Sequence, residues 1–139
     1  MEIDGQCHCG RISFVATIDP QLVSVCHCTD CQTFSSSAFR ISVRTNRANV
    51  RITGTPKAYA KTADSGAVRL QHFCPECGTP VFNSGPDPEA GDWVIRWGSI
   101  RQRRQLSPTR QIWCQSVLPW LGDFDHLPGS PTGWDRTAP

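Results

Sequence analysis

The stretch Cys26-His27-Cys28-Thr29-Asp30-Cys31 places three thiols within six residues, a density that few folds accommodate. Two pairs flank it in sequence, Cys7-His8-Cys9-Gly10 and Cys74-Pro75-Glu76-Cys77-Gly78. Together these groups use seven of the eight cysteines. Cysteines one residue apart are poorly placed to bridge each other, yet in an extended chain their side chains share a face. That arrangement suits metal ligation. A structural zinc site takes four protein ligands, whereas a catalytic one takes three and keeps a position open. Seven therefore divides into one closed site and one open site, and zinc bound twice per chain is the expectation.

The ligands sort by spacing. Cys74 and Cys77 form a zinc knuckle, in which the following Gly78 supplies the positive φ that turns backbone N–H groups toward sulfur. A redox reading of Cys74-Pro75-Glu76-Cys77 lacks the helix that a thioredoxin-like site requires after it. A knuckle supplies two ligands, and Cys7 with Cys9 is the other isolated pair. The remaining triplet, Cys26, Cys28 and Cys31, has no obvious fourth partner. His27 lies between two ligands and in extended chain points away from them. His72, His126 and Cys114 are the other candidates, with Cys114 read chiefly as a small buried apolar side chain.

The rest of the chain reads as short strands. The 139 residues are 38% hydrophobic and carry eleven glycines and eleven prolines, a composition of turns in which metal supplements a modest core. Arg11–Thr17 alternates with Ile12, Phe14 and Ala16 on one face, and Leu22–Cys26 delivers the triplet. Thr29–Phe34 reads as a short helical turn capped by Thr29 or Asp30. Strands are expected at Phe39–Val43, Val50–Thr53, Lys57–Lys61, Ala67–Phe73, Pro80–Asn83, Trp93–Gly98 and Gln111–Val117. Arg44–Asn49 reads as polar and exposed, and a loop-rich tail follows Pro119. The expected fold is all-β, with residues 1–139 as a single domain.

Other features have a bland reading and a functional one. Trp93, Trp97, Trp113, Trp120 and Trp134 read mainly as packing, with a pocket lining as the alternative. Arg101, Arg103 and Arg104 form a basic run, either a solvated loop or a clamp for substrate carboxylates. A net charge of +2 gives no reason to expect a nucleic-acid partner. No apolar run approaches the ~18–20 residues of a membrane helix, and the N-terminus lacks the features of a secretory signal. A reduced, cytoplasmic protein is the expectation.

With the three cysteine groups located, the sequence resembles the glutathione-dependent formaldehyde-activating enzyme family, which also contains centromere protein V. The likeness runs from Gly5-Gln6-Cys7-His8-Cys9-Gly10 through the triplet to Phe73-Cys74-Pro75-Glu76-Cys77-Gly78-Thr79, with weaker stretches at Gly54–Tyr59, Gly98-Ser99-Ile100 and Ile112–Trp120. It implies a β-tent-like arrangement of sheets around zinc. It also implies a structural zinc on Cys7, Cys9, Cys74 and Cys77 and a catalytic zinc on Cys26, Cys28 and Cys31. Ser36 stands where the family pattern is expected to have glycine. The implied activity is that of a carbon–sulfur lyase, joining glutathione and formaldehyde reversibly as S-hydroxymethylglutathione. A zinc-stabilised binding protein without activity is the alternative from another class. Oligomeric state is not legible.

Overall fold

The computed structural model describes residues 1–133. Ten strands and one short helix account for the regular structure, in the order β1 (Glu2–Gln6), β2 (Ser13–Thr17), β3 (Val23–Cys26), α1 (Thr29–Ser35), β4 (Arg40–Asn46), β5 (Val50–Thr53), β6 (Lys57–Thr62), β7 (Val68–Phe73), β8 (Pro80–Ser84), β9 (Asp92–Arg96) and β10 (Arg110–Ile112). They form a three-stranded sheet, β1-β2-β5, and a seven-stranded sheet, β10-β3-β4-β9-β8-β7-β6. Every pairing is antiparallel except β10 with β3.

Alternation decides what each sheet buries. In β2, Phe14 and Ala16 are buried, as the periodicity of that stretch predicts. They join Ile3 of β1 and Val50 of β5 in one core with Val23, Val43, Trp93 and Ile95 of the larger sheet. Trp93 lies flat on Phe82, ring centroids 3.6 Å apart, and His72 stacks on the other side of Phe82 at 4.1 Å. His72 keeps its polar edge satisfied through Ser84 Oγ at 3.0 Å.

The opposite face of the larger sheet is polar. Ser24 and Cys26 of β3, Arg40 and Ser42 of β4, and Val94 and Arg96 of β9 share that face by register. Gln71 and Asn83 continue it across β7 and β8. The same face carries the cysteine triplet at the end of β3.

Several boundaries differ from expectation, each for a local reason. Residues 2–6 form β1, whose pairing with β2 buries Ile3. The stretch after Val43 is not loop: β4 runs to Asn46, and buried Thr45 donates to the carbonyl of Thr17 at 2.7 Å. Asn46 then caps a 3-10 turn through the amide of Ala48. The strand expected over Trp93–Gly98 stops at Arg96, where a 3-10 turn begins. The strand expected over Gln111–Val117 stops at Ile112, because Trp113 takes a left-handed conformation (φ 58°) and a 3-10 turn follows. Beyond it the chain to residue 133 is turns and mostly exposed side chains, Trp120 and Phe124 among them.

Candidate metal centres

The first cysteine group joins two turns. Cys7 and Cys9 lie in the β1–β2 connection, Cys74 and Cys77 in the β7–β8 connection, and the four sulfurs lie within 4.8 Å of one another. The Cys7–Cys9 separation is 3.6 Å and the Cys9–Cys74 separation 3.7 Å. A tetrahedron with metal–sulfur bonds of ~2.3 Å has edges of about 3.8 Å, so the group has the dimensions of a closed thiolate site. Backbone geometry prepares it. Gly78 adopts φ +74° and donates to the carbonyl of Cys74 at 2.9 Å, folding the knuckle tightly. The amide of Ile12 donates to Cys7 Sγ at 3.3 Å. The amide of His8 donates to Thr79 Oγ1 at 3.0 Å, fastening one turn to the other. A hydrogen bond from the Thr79 hydroxyl draws the Cys77 thiol down to about 5, so this sulfur is ready as thiolate.

The second group is local. Cys26 ends β3, Cys28 is the N-cap of α1, and Cys31 lies in its first turn. Their sulfurs also lie within 4.8 Å of one another. The cap differs from expectation: neither Thr29 nor Asp30 fills that position, and the Cys31 amide donates to Cys28 Sγ. The hydrogen bond with Cys31 lowers the Cys26 thiol to about 6, and the same contact raises Cys31. Three sulfurs with one already acidic make a fitting donor set for a thiophilic metal.

No fourth side chain joins this group among the described residues. His27 is buried and turned to Gln111 Oε1 at 2.9 Å. His72 lies in the core described above, and His126 is exposed in a 3-10 turn. Cys114 belongs to neither group and is exposed, which corrects the expectation of a buried side chain; the turn at Trp113 carries it off the sheet.

The triplet opens onto a cavity of about 270 Å³ on the polar face of the sheet. Five basic side chains line it: Arg40, Arg44, Lys61, Arg69 and Arg96. Its two acids are paired, Asp30 with Lys61 and Asp92 with Arg44. Trp113 stands in its wall, more than half exposed. A larger cavity of about 1220 Å³ adjoins it and shares Phe34, Arg40 and Arg96. The smaller one is the relevant space for chemistry, since all three triplet cysteines line it and none lines the larger.

The basic run is dispersed by the fold. Arg101 and Arg103 line the larger cavity, whereas Arg104 lines neither. Arg101 pairs with Asp4 at 2.8 Å, and Arg103 donates to the carbonyl of Ile100 at 3.1 Å. Among the tryptophans, Trp93 is core and Trp97 borders both the core and the larger cavity. Trp113 and Trp120 are exposed, and Trp134 lies outside the described residues. Sequence reasoning missed Arg40 and Arg96, which lie beside the triplet. A signal existed for the first: in Arg40-Ile41-Ser42-Val43 the polar positions alternate with apolar ones, marking a second, polar face, whereas Trp93-Val94-Ile95-Arg96 shows no such alternation.

Comparison with known proteins places this architecture. A curated relative from Schizosaccharomyces pombe, named an uncharacterized lyase, is 33% identical over 81 residues, 58% of this chain. The alignment covers 56% of that relative, so the chain spans about half the length of the protein it matches. A crystal structure of a Rhodobacter sphaeroides protein superposes with a TM-score of 0.60 at 16% identity, covering 78% of this chain and 98% of that one, a likeness of fold. No helix among the described residues is long and apolar enough to cross a membrane. The profile of the glutathione-dependent formaldehyde-activating enzymes matches residues 2–116, both cysteine groups included, and the chain belongs to that family.

Proposed function

We propose that the protein is a zinc-dependent carbon–sulfur lyase acting reversibly on a thiol–aldehyde adduct of the S-hydroxymethylglutathione type. One observation carries this reading: three cysteines converge at a basic cavity without a fourth ligand among the described residues. Cys7, Cys9, Cys74 and Cys77 would hold a second zinc in a structural role. In the synthetic direction the carbon–sulfur bond forms as the carbonyl π bond breaks, and the thiol proton ends on the adduct oxygen. When bound at the triplet, zinc supplies an open coordination position that favours thiolate over thiol.

The chain's own residues supply the setting. Cys26, Cys28 and Cys31 would hold the metal at the end of β3, and the Cys31 amide in the first turn of α1 donates to Cys28 Sγ. The unpaired cations of the cavity favour an anionic reactant. For glutathione, whose two carboxylates lie far from its sulfur, Arg101 and Arg103 of the adjoining cavity are the gripping groups; Arg104 lines neither cavity. The name of the yeast relative and the family match support the lyase class.

The test is the rate at which zinc-loaded protein brings glutathione, formaldehyde and their adduct to equilibrium, followed by NMR exchange against the uncatalysed reaction. Cys28→Ser and Cys31→Ser should reduce that rate to background. An unaccelerated equilibrium in fully loaded protein would move the reading to a zinc-stabilised binding protein.

A further inference from the structure

The polar face of the larger sheet buries two guanidinium groups without an acid. Arg40 is 6% exposed and Arg96 7%. The ion pairs among the described residues involve neither of them. Both acids of the cavity, Asp30 and Asp92, are committed to Lys61 and Arg44. A buried charge without a counter-charge is costly, and it persists where a ligand completes it.

The side chains that hydrogen-bond the two groups orient them without supplying a carboxylate, and the only anions facing them among the described residues are the triplet sulfurs. Arg96 donates from Nη1 to Ser42 Oγ at 2.9 Å and from Nη2 to Gln71 Oε1 at 2.8 Å. Arg40 donates from Nη1 to the same Gln71 oxygen at 3.3 Å, with its guanidinium 5.5 Å from the centre of the Phe34 ring. Every partner is uncharged. Arg96 Nε is buried and has no partner. Burial and the neighbouring Arg40 cation draw the Arg96 guanidinium down to about 9, and the triplet sulfurs oppose that shift only in part.

Register places the pair beside the metal ligands. Arg40 lies directly opposite Cys26, and opposed residues of an antiparallel pair hold their Cβ atoms ~4.5–5.5 Å apart. Arg96 lies opposite Ser42, one strand further from β3. Positive charge thus extends from the sulfurs along the cavity floor, where the remainder of a reactant would lie. We propose that Arg40 and Arg96 form a carboxylate-binding subsite beside the Cys26–Cys28–Cys31 triplet, so that one of the two reactants is a small acid. An acid of a few carbons fits the cavity of about 270 Å³, which is below the ~300 Å³ at which pockets for drug-sized ligands begin. The inference rests on the reading of the triplet as an open metal site, and it narrows the substrate to a thiol or carbonyl compound with a carboxylate close to its reacting atom.

The test is calorimetry on the zinc-loaded full chain with two matched pairs of probes. The thiol arm compares 3-mercaptopropionate with 2-mercaptoethanol; the carbonyl arm compares pyruvate with acetone. The acid should bind at least ~10-fold more tightly than its neutral mate in one arm, as expected for a charge-assisted contact. That arm identifies which reactant carries the carboxylate. Arg40→Met and Arg96→Gln should each reduce the preference to about twofold or less, with melting curves checking that the variants fold. The wild-type comparison stands on its own if a variant does not. Absence of any preference in both arms would overturn the subsite, as would variants that weaken acid and neutral probes equally, the mark of a mere counter-charge for the metal–thiolate group. Pyruvate binding that depends on Arg40, with no thiol binding at all, would leave the subsite standing and sink the thiol lyase. Neutral and acidic thiols binding equally, with pyruvate no tighter than acetone, would do the reverse.

Discussion

The amide of Cys31 donates to the sulfur of Cys28 at 3.3 Å, so one thiol both caps α1 and belongs to the triplet. A serine hydroxyl caps a helix as well as this sulfur does, and the triplet closes only a short loop. Cys28→Ser should therefore shift the melting temperature by less than ~3 °C. Cys77 stands in the opposite situation. Its group joins turns 65 residues apart, and metal held there contributes directly to folding. Cys77→Ser should lower the melting temperature by more than ~10 °C or abolish the soluble protein. Similar melting of the two variants would remove the distinction between a structural and an open site.

Metal uptake should depend on pH with a definite sign. One proton lies between Cys26 and Cys31, which leaves Cys26 acidic at about 6 and Cys31 raised. Ligation requires every thiol to be ionised, so loading displaces that proton and affinity falls as pH falls. Protein purified without chelator at neutral pH should contain about two zinc ions per chain by elemental analysis. On acidification both should leave, and calorimetry in buffers of different ionisation enthalpy should show proton release on reloading. A folded protein that is metal-free at neutral pH, or uptake insensitive to pH, would contradict the thiolate assignment.

Ser36 ends α1 in a left-handed conformation, φ 49° and ψ 41°, with its amide on the carbonyls of Gln32 and Thr33. A side chain in that conformation costs ~1–2 kcal/mol, whereas glycine adopts it freely. The position is also the one at which this sequence departs from the glycine expected of its family. Ser36→Gly should thus stabilise the protein by about 1 kcal/mol in chemical denaturation. An unchanged or lower stability would show that the serine side chain contributes more at the cavity edge than the backbone conformation costs.

What was legible in the sequence divides along physical lines. Cysteine spacing carried the two groups, because ligand geometry is local: a knuckle folds around its own glycine, and three sulfurs in six residues have nowhere else to point. Turn residues carried most strands. The polar face of the larger sheet was not read, since Arg40, Gln71 and Arg96 come together from β4, β7 and β9 only through pairing register. The run Arg101, Arg103 and Arg104 stood out for the opposite reason. Adjacency in sequence made it conspicuous, and a 3-10 turn at 103–105 sends its members in different directions. The end of β10 depended on the backbone of Trp113, a left-handed non-glycine residue that no pattern announces.

The dispersal of those arginines gives the last prediction. On the proposed reading, a thiol held at the triplet would lie in the smaller cavity, and the part of glutathione that exceeds it would pass Phe34 and Arg40, which line both cavities, into the larger one. There Arg101 and Arg103 line the wall and would meet its carboxylates, whereas Arg104 is not among the lining residues. Arg101 is largely exposed and already paired with Asp4, so its contribution is screened and modest. Replacing Arg101 and Arg103 together by alanine should weaken glutathione by about fivefold while leaving mercaptoethanol within about twofold. Arg104→Ala should affect neither ligand. Competition between the two thiols for cobalt-substituted protein, read from the sulfur-to-cobalt charge-transfer band, reports both affinities in one experiment. Equal losses for the two thiols would mean that the arginines act on the metal group or the fold and not on the tripeptide. A loss at Arg104 equal to that at Arg101 and Arg103 would mean that the approach is steered by net charge, with no grip in the larger cavity.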